Sequence, residues 1–246
     1  MLKRYAIIIS LIAILLFSLN LLAQNNKTEE EKTVQESNKA IPELLSVNEV
    51  ELTGTYTVNI EQSNTPKLSI KGKRKNELNV YIEGNRLYIE HKKGKKKVNM
   101  FKDSEIEVNL NLKEIKEIKI NGVASMQNIR PINGNRLKIE LNGVGSIELS
   151  KLDFNHIHSA VNGTGSVELS GKTNTLALYL NGVGSIDTQN LKAYKCRAEN
   201  DGLGSISLYA ETELDAYIGG LGSIEYMGNP KVHKEINGLG SISRIE

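Results

Sequence analysis

The sequence predicts an all-β protein, a right-handed parallel β-helix with coils of about 18–21 residues. Three observations predict it. A hexapeptide of the form N-G-V-G-S-I recurs seven times after residue 120, and apolar residues alternate in the same phase around each copy. The composition, with 21 Gly, 4 Pro and no Trp, favours many tight turns. A repeat of about 20 residues is the length typical of one solenoid coil.

The seven copies of the repeat follow one another at intervals of 18 to 21 residues. They read N-G-V-A-S-M from Asn121, N-G-V-G-S-I from Asn142, N-G-T-G-S-V from Asn162, N-G-V-G-S-I from Asn181, D-G-L-G-S-I from Asp201, G-G-L-G-S-I from Gly219 and N-G-L-G-S-I from Asn237.

Apolar positions on both sides of the repeat predict the strands. The residues five, three and one before the Asn are mostly apolar, as in the segment 137–141. Strict alternation places these side chains on one face of a strand. The residues two, five and seven after the Asn are apolar as well, as with Val144, Ile147 and Leu149. We therefore predict two short strands per coil with a Gly-rich corner between them.

The corner needs Asn and Gly for steric reasons. Both residues readily take positive φ, and two Gly in four positions allow a sharp bend where backbones come close. Asn-Gly alone would suggest a β-hairpin, and hence an antiparallel meander. The recurrence of corner and apolar parity in one phase favours parallel stacking instead. Coils about 4.8 Å apart would give seven corners a rise of roughly 30 Å.

Stacking should align identical side chains into ladders with a structural role, because stacked amides satisfy one another along the axis. The predicted Asn ladder comprises Asn121, Asn142, Asn162, Asn181, Asp201 and Asn237, with a gap at Gly219. The predicted Ser ladder comprises Ser125, Ser146, Ser166, Ser185, Ser205, Ser223 and Ser241. Asn200 and Lys234 break the apolar pattern. The sequence leaves open whether Asn200 is a buried, hydrogen-bonded amide or marks an irregular coil.

The chain divides into three regions. Residues 1–23 combine a short basic start with an apolar run and predict a signal peptide or an N-terminal anchor. Residues 24–43 are polar and lack apolar periodicity, which predicts a disordered linker. Residues 44–246 form the β-helix domain, in which 44–115 hold less regular strands and 116–246 hold the seven coils. A separate small β-domain is the alternative for the first part. Cys196 is the only cysteine, so no disulfide stabilises the chain.

The strand-rich start reads V-E-L-T-G-T-Y-T-V-N-I-E-Q, P-K-L-S-I-K-G and G-N-R-L-Y-I-E, and iterated N-G-x-G-S-I coils follow it. This order resembles the putative auto-transporter adhesin, head GIN domain family over residues 47–245. The resemblance implies an exported bacterial protein with a β-helical fold, and it brings no catalytic motif.

Candidate chemistry on the coils is sparse. The position six after the Asn predicts an outward, partly acidic stripe: Glu148, Glu168, Asp187, Ser207, Glu225 and Ser243. Repulsion between stacked carboxylates could be relieved by nearby Lys or by Ca²⁺, the one cofactor that the sequence leaves open. His156 and His158 share an outward face, but no third ligand lies in the neighbouring coils, and we predict neither a metal site nor a catalytic residue. Cys196 takes an apolar position and is predicted to be a buried packing residue.

A basic cluster is the candidate for binding an anionic partner, such as an acidic glycan or another cell-surface ligand. It comprises Lys92, Lys93, Lys95, Lys96 and Lys97. A solubilising loop is the alternative interpretation. An exported chain without aromatic residues between these lysines does not fit a nucleic-acid partner, and contact with a membrane is expected only through an uncleaved N-terminal segment.

The sequence therefore predicts an exported, non-enzymatic binding or structural protein, an adhesin-like surface in the periplasm, on the outer membrane or outside the cell. Two alternatives stay open. An envelope polysaccharide-active enzyme would lose turnover when outward carboxylates such as Glu148 or Glu168 are neutralised. A self-assembling scaffold would form oligomers through exposed strand edges.

Overall fold

The computed structural model describes residues 42–92 and 106–246. Within them, two 3₁₀ helices, Pro42–Ser46 and Lys75–Glu77, accompany sixteen strands. The strands are β1 (Glu49–Thr53), β2 (Thr55–Gln62), β3 (Lys67–Lys71), β4 (Leu78–Glu83), β5 (Arg86–His91), β6 (Ile106–Leu112), β7 (Glu117–Ile120), β8 (Val123–Gln127), β9 (Ile132–Leu141), β10 (Val144–Val161), β11 (Thr164–Leu180), β12 (Val183–Asn200), β13 (Leu203–Ile218), β14 (Leu221–Met227), β15 (Lys231–Ile236) and β16 (Leu239–Arg244).

The strands form a parallel β-helix, as the repeat predicts. β10 to β13 pair side by side, and each pairs in parallel with the equivalent residues of the next coil, for example Val144 with Thr164 and Thr164 with Val183. β14 and β15 both stack on β13, and β16 stacks on β14. The first strands belong to the same sheet, because β1 pairs with β7 and β2 pairs with β8.

Antiparallel pairing is confined to the N-terminal end of the described sheet. β3 runs antiparallel to β6, and β4 forms a hairpin with β5. The turn of this hairpin contains Gly84, whose φ is +62°.

The strands of each coil differ from the prediction. The sequence predicts two short strands per coil, but β10 to β13 are 16 to 18 residues long and cover most of a coil each. Register shifts interrupt their pairing, as between Leu149 and Leu152. After this irregularity Leu152 and Phe154 point inward and add a third apolar segment to the core. The prediction missed it because other coils fill these positions with small or polar residues, such as Gly171 and Thr173.

The corner also places one predicted apolar position outside. Val144 is 52% exposed, whereas Ile147 and Leu149 are buried. The interval of three residues between Val144 and Ile147 cannot keep both on one face of an extended strand. Glycine at the corner allows neighbouring coils to stack closely. A Cβ built on Gly184, which has φ +145°, would lie 1.8 Å from the carbonyl oxygen of Gly165, its register partner in the preceding coil.

Among the described residues, no helix is long and apolar enough to cross a membrane.

An arginine stabilises the first coils across their outer surface. Arg86 on β5 contacts Glu49 at 2.7 Å, Glu51 at 3.1 Å and Glu117 at 3.0 Å. These carboxylates come from β1 and β7, so one guanidinium links three strands. Partial burial alone would raise the pKa of Glu49, but hydrogen bonds from Arg86 and Asn85 hold it below its usual value.

This cluster predicts an acid-sensitive start of the β-helix. A carboxylate with a lowered pKa stabilises the fold above its ordinary pKa, and the contribution is lost as pH falls through the lowered value. We expect the melting temperature to fall on acidification below about pH 4.3, and to fall less steeply in Arg86→Gln, which is less stable at neutral pH. Thermal unfolding followed by circular dichroism between neutral and acidic pH measures this. Lys172→Gln removes the exposed Lys172–Asp153 ion pair and is the control. If the melting temperature depends on pH equally in wild type and in Arg86→Gln, the role of Arg86 is contradicted.

Candidate ligand-binding face

Four members of the predicted Asn ladder are joined by hydrogen bonds. The Nδ2 of Asn142 donates to Asn121, that of Asn162 to Asn142 and that of Asn181 to Asn162, at 2.8 to 2.9 Å. Asn121 in turn donates to Glu51 at 2.7 Å. Asp201 cannot continue the series because a carboxylate has no N–H to donate. Asn237 donates instead to Glu235 of its own coil.

The structure adds ladders that the sequence analysis missed. Asn155 donates to Asn135 and Asn174 donates to Asn155, both at 2.9 Å. A further pair of bonds joins Gln127 to Asn59 and Asn59 to Asn109. The predicted Ser ladder is aligned in register from coil to coil. Ser146 Oγ lies 3.4 Å from Ser125 Oγ. The Asn and Gln side chains bond to one another, so their arrangement has a structural explanation.

The acidic stripe is aligned as expected. Glu148, Glu168 and Asp187 are register partners in successive coils. No group of three or more His, Cys, Asp or Glu within residues 42–92 and 106–246 is arranged to hold a metal ion. Neither His156 nor His158 stands alone on its outward face. His156 Nδ1 lies 2.7 Å from the hydroxyl of Thr175. His158 packs against Tyr179 with ring centroids 5.0 Å apart, and partial burial lowers its pKa.

The basic cluster falls largely outside the described residues. Lys92 is exposed, and its Nζ donates to the carbonyl oxygen of Asn76 at 2.9 Å. Lys93, Lys95, Lys96 and Lys97 lie outside the described ranges, and the role of the cluster stays a prediction.

Cys196, Asn200 and Lys234, which the sequence places at inward positions of the strands, have defined surroundings. Cys196 is buried, which confirms the prediction, and burial raises the pKa of its thiol. Asn200 is fully buried, and its Nδ2 donates to the carbonyl oxygen of Gly204 at 2.9 Å. Lys234 is the register partner of the buried Ala216, but its own side chain is exposed in the last coil. Its Nζ donates to the carbonyl oxygen of Ile242 at 3.0 Å and lies 5.1 Å from the centroid of the Tyr226 ring.

One outer face of the later coils combines aromatic and charged side chains. Tyr179 on β11, Glu199 on β12 and Tyr217 on β13 are register partners, so they form one row along the axis. The neighbouring row contains Arg197 and its register partner Asp215. We call these five residues the tyrosine face. The two tyrosines are two coils apart, which corresponds to about 9.6 Å.

A shallow cleft of about 430 Å³ continues the tyrosine face toward the last coil. It is lined by Arg197, Glu199, Asp215, Ala216, Tyr217, His233 and Glu235. The Arg197 guanidinium is paired with Glu199. The tyrosine face thus offers two aromatic rings, donors on Arg197 and acceptors on the carboxylates of Glu199 and Asp215, and the cleft adds the carboxylate of Glu235.

The two tyrosines are not part of the repeat and carry no binding motif in the sequence. Both lie two positions before the first residue of a repeat, and strict alternation marks that position as outward. The rarity of aromatic residues, 5% of the chain, is the second signal that could have identified them.

Solved structures of several other proteins resemble this β-helix. A putative adhesin from Bacteroides fragilis is 27% identical with a TM-score of 0.78, over 85% of this chain and 95% of that chain. A putative lipid binding protein from Parabacteroides distasonis is 26% identical with a TM-score of 0.63, over 81% and 93%. A putative adhesin from Parabacteroides merdae is 21% identical with a TM-score of 0.60, over 85% and 95%, which shows the same fold.

No curated protein matches the chain in sequence. The sequence profile of one family matches residues 47–230, which include the strand-rich start and most of the repeats. The chain therefore belongs to the putative auto-transporter adhesin, head GIN domain family.

Proposed function

We propose that this protein is an exported, non-catalytic adhesin that binds a glycan on its tyrosine face. The single observation that carries the proposal is the row of Tyr179, Glu199 and Tyr217 beside Arg197. Membership of an adhesin family and similarity to a putative adhesin support a binding role at the cell surface.

The chemistry of the face suits a sugar chain. One side of a pyranose ring presents C–H groups, which pack on an aromatic ring, while its hydroxyls both donate and accept hydrogen bonds. The carboxylates of Glu199 and Asp215 accept such bonds and the Arg197 guanidinium donates them. A pyranose ring is about as wide as one coil repeat, so a linear glycan along the axis can stack on both tyrosines with a further sugar over Glu199.

The rigidity of the support strengthens this proposal. The backbones beneath the face are paired in register on both sides, and Leu178, Ala198 and Ala216 beneath it are buried. A preorganised surface loses little conformational freedom when a ligand binds.

Binding of the full chain to a printed array of defined oligosaccharides, followed by titration of the sugars that bind, tests the proposal. We expect the double variant Tyr179→Ala/Tyr217→Ala to bind about 10- to 100-fold more weakly, because both stacking contacts are lost. Tyr217→Phe keeps the ring and should retain most of the affinity. Tyr194→Ala is the matched control, because Tyr194 is 49% exposed and lies outside the tyrosine face.

Three outcomes would overturn the proposal. The chain could bind no sugar above background, or the double variant could bind as tightly as the Tyr194→Ala control. Release of new reducing ends from a bound glycan would instead identify an enzyme, with Asp215 and Glu235 as the carboxylates to neutralise first.

A further inference from the structure

A row of aliphatic side chains runs along the outside of the corner. It occupies the position two after the first residue of each repeat, and we call it the aliphatic row. Its exposed fractions are Val123 37%, Val144 52%, Val183 47%, Leu203 52%, Leu221 49% and Leu239 74%, and the exposed Thr164 is the one polar member. These residues are register partners from coil to coil.

The aliphatic row has uncharged neighbours, although 24% of the whole chain is charged. On one side lies the Asn ladder, in which Asp201 is the only charged member. On the other side lies the Ser ladder. The residues between them are glycines, apart from Ala124. Covering this strip would therefore remove almost no charge from water, and most of the amides that border it are already bonded to one another.

The periodicity of the row limits what fits it. Seven members about 4.8 Å apart span about 29 Å, with a shallow gap between successive side chains. A second copy of this row carries the same repeat, so its side chains can enter the gaps along the whole length. Two identical patches that fit each other in this way form a symmetric dimer.

We propose that the aliphatic row is the contact surface between two copies of this protein. The strip from the Asn ladder to the Ser ladder is about 13 Å wide, and its footprint is about 400 Å² per copy. A stable interface buries about 800 Å² per partner. The pairing is therefore weak and depends on concentration. This inference is independent of glycan binding, because the tyrosine face comprises other residues.

Cysteine cross-linking of the full chain in the bacterial envelope tests the pairing. Val183 is the fourth of the seven members, so in an antiparallel, two-fold symmetric pair Val183→Cys lies next to its own counterpart near the centre of the row. The native Cys196 is buried and does not compete for a thiol cross-linker. We expect a cross-linked dimer on a denaturing gel. Ile129→Cys, which is 64% exposed and lies off the row, is the control that should remain monomeric.

A second set of changes separates pairing from misfolding. Val144→Thr, Leu203→Thr and Leu221→Thr, added to Val183→Cys, keep residues that suit a strand, and Thr164 already occupies this position in one coil. The circular dichroism melting curve of this variant should stay close to wild type, while the yield of cross-linked dimer falls at least tenfold.

Several results would overturn the inference. Val183→Cys could cross-link no better than Ile129→Cys, or the threonine variant could cross-link as well as its parent. Cross-linking of Val183→Cys only to other proteins would identify a different partner. Flotation with phosphatidylethanolamine and phosphatidylglycerol vesicles that requires the aliphatic row, without dimer formation, would identify lipid as the occupant.

Discussion

Replacing Gly184 with alanine is expected to destabilise the β-helix by about 3 kcal/mol or more. Two separate effects cause this loss. The residue has φ +145°, a conformation that a side chain rarely adopts, and the new Cβ would lie 1.8 Å from the carbonyl oxygen of Gly165. That oxygen belongs to the backbone of the neighbouring coil, so it cannot move away without breaking the stack. Guanidinium-induced unfolding followed by circular dichroism measures the change.

Gly84→Ala is the matched control for this prediction. Gly84 also has positive φ, +62°, but a Cβ there would meet nothing within 4 Å. Its replacement should cost only the conformational penalty, about 1 kcal/mol. If both variants lose the same stability, the close approach of the coils does not explain why the corner requires glycine.

The second large effect is expected at Asn200. Asn200→Asp should lower stability at neutral pH by about 3 kcal/mol or more, because a buried carboxylate would face the carbonyl oxygen of Gly204 in place of an N–H donor. In the wild-type protein the Oδ1 of Asn200 already has no hydrogen-bond partner among the described residues. Burial raises the pKa of such a carboxyl, so the variant should recover stability as the pH is lowered and the protonated group can donate again.

Asn200→Leu is the contrast for Asn200→Asp. Its register partners in the adjacent coils are Leu180 and Ile218, so an apolar side chain suits the position. We expect this variant to stay within about 1 kcal/mol of wild type. Chemical unfolding at neutral and acidic pH measures the free energy of unfolding of both variants. A loss for Asn200→Asp that is small or independent of pH would show that the buried amide is not constrained as the structure indicates.

The parallel β-helix could be predicted from the sequence because the same pattern of residues occurs seven times at nearly constant spacing. Each copy combines a Gly-rich corner with alternating apolar positions, and agreement between copies excludes a hairpin meander. Asn142 and Asn162 show how much the pattern reveals, since identical residues at one phase must stack in a solenoid. Equivalent reasoning places Cys196 in the core.

Other features depend on how the coil bends, which the alternation does not specify. Leu152 and Phe154 form a third inward segment because the chain bends just before them, at Lys151, which has φ +56°. Val144 points outward because the glycine after it takes up the bend. Tyr179 and Tyr217 become neighbours of Arg197 only through the register of three strands. The sequence shows which residues alternate, but the positions of the bends determine which face of the coil each of them occupies.

In-register stacking also makes length an independent property of this molecule. Residues paired between coils, such as Val144 and Thr164, are about one repeat apart in the sequence, so each coil mainly contacts the coils beside it. Duplicating the segment from one corner to the next would extend the rod by about 4.8 Å and leave its cross-section unchanged. The distance to which such a protein reaches is thus set by the number of its repeats, and evolution can adjust that reach by copying a coil without rebuilding the core.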